Sequence, residues 1–231
     1  MDKKRIAVIF GGKSAEYEVS LQSACAVLDN INTDKFHIIP IGITRNGEWY
    51  HYTGDKEKIG DNTWFEDGKN LFPVVVSQSC SVKGFIELDA DSYHVIKTDL
   101  AFPVLHGKNG EDGTLQGLFE LAGIPVVGCD TLSSAVCMDK NRAHKLVSLT
   151  GISVPKSVTF RCSGKEAALK EIEEKLAYPL FIKPVRAGSS FGITRITEKK
   201  ELDAAVSLAF AYDAEVIVEE EVNGFEAGCA V

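Results

Sequence analysis

Ile6-Ala7-Val8-Ile9-Phe10-Gly11-Gly12 is a run of five apolar residues halted by two glycines. An unbroken run of this kind fits a strand buried on both faces, not one that alternates towards water. Beyond the glycines, Leu21, Ala24, Cys25 and Leu28 fall at i, i+3, i+4 and i+7, the stripe of a core-facing helix. The alternation then repeats. Phe36 to Ile43 reads as a second strand and Asp99 to Leu105 as another buried one. Asp112 is placed to cap a helix carrying Leu115, Leu118, Phe119 and Ala122, which Gly123 and Pro125 stop. Strand–helix alternation predicts an α/β fold built on an open, mostly parallel sheet. Between residues 44 and 97 the pattern is less regular, with a hairpin at Asn46-Gly47 and short strands around 74–76 and 85–88.

A second unit is expected from Cys129. Asp139 caps a helix through Thr150, with Ala143, Leu146 and Val147 inward. Ser163 and Glu166 form a capping box ahead of Leu169, Ile172 and Leu176. Leu180-Phe181-Ile182 is a short strand, Glu198 to Tyr212 a helix, and Val216-Ile217-Val218 a strand running into Glu219-Glu220-Glu221. The division expected is 1–128, 129–222 and a third unit opening at 223–231. The chain stops at Val231, inside what reads as a strand from Glu226.

The 231 residues carry 25 basic and 33 acidic side chains, a formal charge of −8, with 45% hydrophobic and 25% charged residues. That is ordinary globular usage and excludes a disordered, collagen-like or coiled-coil chain. The acidic balance argues against a non-specific nucleic-acid binder. No apolar run approaches the roughly 18 residues of a membrane helix, and Ile6 to Phe10 is too short for a signal peptide. Six cysteines without a CxxC pair read as reduced, buried thiols of a cytoplasmic protein.

Four stretches could carry chemistry. Gly12-Lys13-Ser14 lacks the glycine of a P-loop, since Ala7 stands five residues before Gly12, so it reads as a tight strand-to-helix turn. Glu16 and Ser20 lie one turn apart there, and Glu16 alone could equally be an acidic first-turn residue favoured by the helix dipole. His106-Gly107-Lys108-Asn109-Gly110-Glu111-Asp112-Gly113 follows a buried strand and precedes a helix, where open α/β sheets bind ligands. His106 could donate to an oxyanion or phosphate there, or be a solvated turn residue. In Lys183-Pro184-Val185-Arg186-Ala187-Gly188-Ser189-Ser190, Lys183 offers a point charge and the two serines offer donors for phosphate oxygens. The alternative is a hairpin with a surface lysine. Lys140 alone carries no signal. Glu219-Glu220-Glu221 is a solvated edge or a strand end whose backbone could meet an adenine edge, with Glu226 reaching ribose hydroxyls. The remaining histidines, 37, 51, 94 and 144, show no metal-ligand spacing.

Taken in order, Gly11-Gly12-x-Ser14-x-Glu16-x-Glu18-Val19-Ser20, His106-Gly107-x-x-Gly110-Glu111-Asp112-Gly113, Met138-Asp139-Lys140 and Lys183-Pro184-x-x-x-Gly188-Ser189-Ser190 closely resemble the D-alanine–D-alanine ligase family of the ATP-grasp superfamily. Pro103 to Lys108, Gly128-Cys129-Asp130 and the stretch from Glu226 are most similar to the vancomycin-resistance branch, and among those to the D-alanine–D-serine type. The resemblance implies an N-terminal open-sheet domain followed by an ATP-grasp α+β domain incomplete at the C-terminus. It implies a cytoplasmic homodimer of peptidoglycan synthesis that takes ATP, D-alanine and D-serine and binds neither nucleic acid nor membrane. Glu16 would bind the ammonium of the first D-alanine, Val19 would pack near its methyl group, and His106 would sit by the transferred phosphoryl group and the second substrate. Lys140 and Lys183 would clamp ATP phosphates beneath Ser189, also counted as catalytic, and Ser190. Glu219, Glu220 and Val222 would frame adenine, and Glu226 would hold ribose. Glu220 stands where many members carry lysine, so an adenine contact there would have to come from the backbone, and Tyr17 replaces a basic or histidine residue. Magnesium or manganese ligands, the mobile loop and the second-substrate pocket are expected beyond residue 231, so the 231-residue chain alone is expected to be inactive. Lys183→Ala is expected to remove nucleotide binding and leave the fold intact. Another carboxylate–amine ligase, a D-alanine–D-alanine or D-alanine–D-lactate ligase, and a non-catalytic nucleotide-binding module are the other readings.

Overall fold

The computed structural model describes residues 3–228. The chain folds as two compact units, Met1–Cys137 and Met138–Val231.

The first unit comprises β1 (Lys4–Gly11), α1 (Tyr17–Asn30), β2 (Phe36–Ile43), β3 (Trp49–Tyr52), the single turn α2 (Glu57–Gly60), β4 (Leu71–Val76), β5 (Gly84–Leu88), β6 (Tyr93–Lys97), β7 (Leu100–Pro103), α3 (Thr114–Leu121) and α4 (Thr131–Met138). Its sheet runs β6-β5-β4-β3-β2-β1-β7. Among the strands of this sheet the parallel pairs are β2-β1 and β1-β7, with one further parallel bridge from Ala101 to Val126, and the remaining strands add an antiparallel meander. The apolar run in β1 serves two cores because successive side chains alternate faces. Ala7 and Ile9 pack with Leu115 and Phe119 of α3, whereas Ile6, Val8 and Phe10 pack with Tyr17, Leu21 and Ala24 of α1. The meander closes over Trp64, whose Nε1 donates to the Tyr17 hydroxyl at 2.9 Å. Gly42 leaves room for that ring, since a Cβ there would lie 2.5 Å from it. Gly42→Ala is therefore expected to destabilise the protein by about 1–3 kcal/mol through overpacking, read by urea denaturation.

The second unit comprises α5 (Lys140–Ser148), β8 (Ser157–Arg161), α6 (Lys165–Lys175), β9 (Leu180–Pro184), β10 (Thr194–Ile196), α7 (Leu202–Phe210) and β11 (Glu215–Glu220). The strands form an antiparallel sheet in the order β10-β9-β11-β8. Leu180 and Ile182 of β9 and Val216 and Val218 of β11 face a core shared with α6 and α7. Period two sends Phe181, Lys183, Ile217 and Glu219 to the opposite face.

Several local expectations change. The units part nine residues after Gly128, because α4 packs back on the first unit: a Cβ on Gly113 would meet Thr131 O at 2.5 Å. Gly113, at φ +88, is the N-cap of α3; Asp112 sits one residue earlier, accepting from Thr114 N at 3.1 Å. The box expected at Ser163 does not form, since Cys162–Gly164 is a 3-10 turn and Gly164 caps α6 without a side-chain bond. A reciprocal box does form at Glu198 and Glu201. Leu146 and Val147 are exposed, not inward. The cysteines are not uniformly buried: Cys80, Cys129, Cys137 and Cys162 are exposed free thiols and Cys25 is half-buried. Glu226 to Gly228 belong to no helix or strand, and Cys229 to Val231 lie outside the described residues. Among the described residues no helix is long and apolar enough to cross a membrane.

Candidate functional site

In the first unit the loops that matter leave the carboxyl ends of β1 and β7. Because β1 pairs with β2 on one side and β7 on the other, and the helices that follow β1 and β7 lie on opposite faces, the loops diverge and open a crevice. Serine hydroxyls clip them together. Ser20 Oγ accepts from Gly11 N at 2.8 Å and donates to Val104 O at 2.5 Å. Ser14 Oγ accepts from Glu16 N at 3.1 Å and donates to His106 O at 2.8 Å.

Glu16, expected at a helix start, is the N-cap position of α1, and its carboxylate is buried. It lies against Gly107 so closely that a Cβ there would sit 2.0 Å from Glu16 Oε2. Gly107 has φ +71 and its N–H donates to Glu111 Oε2 at 2.7 Å. His106 is half-buried, with Nε2 3.0 Å from Ser23 Oγ. Glu16 and His106 are thus held in one layer, and Val19 is exposed on α1. Beside them opens a cavity of about 350 Å³ whose lining includes Lys13, Trp49, Leu105, His106 and Lys108. Sequence reasoning passed over Trp49 and the two lysines, since nothing in the local pattern joins residue 49 to residue 108.

In the second unit the candidate residues collect on the sheet face opposite the core. Lys183 of β9 lies diagonal to Glu219 of β11, and its Nζ donates to Glu219 Oε2 at 2.5 Å. Glu219 is 2% exposed, and its other oxygen has no hydrogen-bond partner among the described residues. His144 Nδ1 stands 3.4 Å from that oxygen. Lys140, at the start of α5, donates from Nζ to Ala187 O at 2.6 Å. Burial, and then the nearby Lys183 charge, push its ammonium below the usual lysine value. The two cations thus lie near each other, with Glu219, Asp213 and Asp139 as the carboxylates that act on Lys140. The connecting loop holds Ser189 and Ser190 at φ +44 and +61, a left-handed conformation that residues with side chains rarely adopt and that concentrates at functional loops.

Glu220 is directed elsewhere: its carboxylate accepts from Ala177 N at 2.8 Å and its amide donates to Lys156 O. Glu221 pairs with Arg195. Val222 and Glu226 are exposed beyond β11. His144 was legible only as a residue one turn from Lys140.

Residues 5–129 match the family model described as the D-ala D-ala ligase N-terminus, and residues 146–231 match that of the C-terminus. The chain is 45% identical to the D-alanine--D-alanine ligase of Acetivibrio thermocellus, covering 100% of this chain and 65% of that one. It is 43% identical to the vancomycin B-type resistance protein VanB of Enterococcus faecalis, over 100% of this chain and 64% of that one. A crystal structure of the VanG D-Ala:D-Ser ligase from Enterococcus faecalis matches with TM-score 0.91 and 77% identity, over 97% of this chain and 64% of the other. The chain thus spans about 64–65% of the length of these relatives. With both halves matched and the motif residues gathered into two organised loops, this chain belongs to the D-alanine–D-alanine ligase family.

Proposed function

We propose that the protein is an ATP-dependent ligase that joins D-alanine to D-serine through an acyl phosphate, in peptidoglycan-precursor synthesis and vancomycin resistance. The observation that carries ATP use is the Lys140–Lys183 pair: two ammonium groups close enough to repel each other beside the Ser189-Ser190 loop are a setting that favours a polyphosphate. The vacant acceptor on Glu219 fits the amino edge of adenine, and an unsatisfied buried oxygen has reason to take such a donor. Exposed Val222 would cover the ring, Glu220 would contribute only through its backbone, and Glu226 would meet the ribose. Ser189 and Ser190 would close over the phosphates.

In this reading the carboxylate of D-alanine attacks the terminal phosphorus and ADP departs. The amine of the second substrate then attacks the acyl carbon, giving a tetrahedral oxyanion that expels phosphate. Lys140 and Lys183 hold the transferring group, Glu16 anchors the ammonium of the first D-alanine, Val19 packs by its methyl, and His106 stabilises negative charge. The chain needs no nucleophile of its own, because positioning and charge supply the catalysis. Magnesium or manganese would neutralise the phosphates. Among the described residues no group of three or more His, Cys, Asp or Glu is arranged for a metal, so no step is assigned to it. A cytoplasmic homodimer is the expected setting.

D-serine as second substrate rests on the 77% identity to the VanG ligase. Phosphate release by the intact protein, with D-alanine paired in turn with D-serine, D-alanine and D-lactate, tests it. D-serine is expected to give the highest kcat/KM, and a preference for either other partner overturns the assignment.

A further inference from the structure

The opposite end of the first sheet carries a second cavity, of about 370 Å³, at the amino ends of β1 and β7. It lies roughly 23 Å from the Gly11 loop, the length of the eight-residue β1 at 3.3 Å per residue. Its lining includes Lys4, Arg5, Lys83, Lys97, Thr98 and Asp99. Four cations meet one carboxylate, in a chain whose formal charge is −8. Asp99 is already spent. Arg5 grips it with two bonds, Nε to Oδ2 at 3.0 Å and Nη2 to Oδ1 at 2.8 Å, which holds the carboxyl well below the usual range. Lys4 shares the field of Asp99 with Arg5, and Lys83 and Lys97 form no ion pair among the described residues, so the lining keeps a net positive charge.

Two further features mark the place as more than a basic surface. Thr98 is 3% exposed, yet its Oγ1 has no hydrogen-bond partner among the described residues. A buried hydroxyl left unpaired is a standing cost that a ligand oxygen would relieve. Lys83 sits at φ +49, in the left-handed region, and its carbonyl accepts from Thr98 N at 2.9 Å, so the strained turn and the hydroxyl are built as one piece.

We propose that this cavity is a binding site for a small phosphate-bearing anion, held by Lys4, Lys83 and Lys97 and accepting a hydrogen bond from Thr98. The volume suits a small molecule. The site lies at the wrong end of the sheet for the ligase chemistry, so it stands apart from that reading, and its test uses no ligation assay.

The test is calorimetric titration of the intact protein with inorganic pyrophosphate at low ionic strength, comparing wild type with Lys83→Gln/Lys97→Gln and with Thr98→Val. Both lysines are exposed, so the double variant keeps the fold. The wild type is expected to bind saturably, with affinity falling about tenfold or more in the double variant. Thr98→Val is expected to weaken binding while the melting temperature of the free protein stays level or rises, because no protein hydrogen bond is lost. An isotherm that is the same in wild type and double variant, or wild type without saturable binding, overturns the proposal. Unchanged affinity in Thr98→Val removes the hydroxyl from the site.

Discussion

Lys183→Ala is expected to cost the intact protein about 3 kcal/mol of stability and to weaken ATP binding by roughly 10-fold or more. The stability loss comes from the partner left behind. Glu219 is 2% exposed and takes its short ion pair from Lys183 Nζ. Deleting one member of a buried pair strands the other charge, which costs about 3–5 kcal/mol when both are fully enclosed. Lys183 keeps part of its side chain in contact with water, so the lower end applies. His144 Nδ1, 3.4 Å from the other oxygen, is too poorly placed to replace the ammonium. The affinity loss follows from one charge-assisted phosphate contact, about 1.5–3 kcal/mol. The expectation from sequence that this substitution leaves the fold intact therefore changes, because the lysine has a structural partner that sequence did not pair with it. Lys183→Met with Glu219→Gln separates the effects: stability should return towards wild type in urea denaturation, while ATP affinity stays low. Wild-type ATP affinity in Lys183→Ala would remove Lys183 from the nucleotide site.

That pairing illustrates where the sequence was legible. Apolar periodicity located β1, α1, β2 and β7, because a helix stripe and an unbroken strand run are local signals. It missed β6, β8 and β10, short strands of five, five and three residues whose partners, not their own pattern, make them strands, and reached β3 only through the Asn46-Gly47 hairpin. It also made the first sheet too parallel, since the meander's turns carry no marker of strand direction except Asn46-Gly47. In the site, glycines and the Lys183 loop stood out because each residue type has a distinctive capacity at its position. What stayed hidden was distance across the sheet: Lys183 to Glu219, thirty-six residues apart, and Glu16 to Gly107. His144 and Trp49 were invisible for the same reason, as each matters only through a residue brought to it by folding.

The contact between Glu16 and Gly107 yields the sharpest functional expectation. Gly107→Ala should lower kcat/KM for the first D-alanine by about 100-fold while costing only about 1–2 kcal/mol of stability. The stability term is the penalty for placing a Cβ at φ +71, in the left-handed region. The activity term is steric: the new Cβ would lie 2.0 Å from Glu16 Oε2 and 3.1 Å from its Cδ, so the carboxylate has to leave its position. A displacement of about 1 Å in a group that orients a reactant is enough to cost about 10²-fold. Gly151→Ala supplies the control. Its φ is +84, so the backbone strain is comparable, but a Cβ there meets nothing within 4 Å. If both variants lose similar stability and only Gly107→Ala loses activity towards D-alanine, the loss belongs to Glu16 and not to a loosened fold. Wild-type kcat/KM in Gly107→Ala would mean that the Glu16 carboxylate does not hold the substrate ammonium.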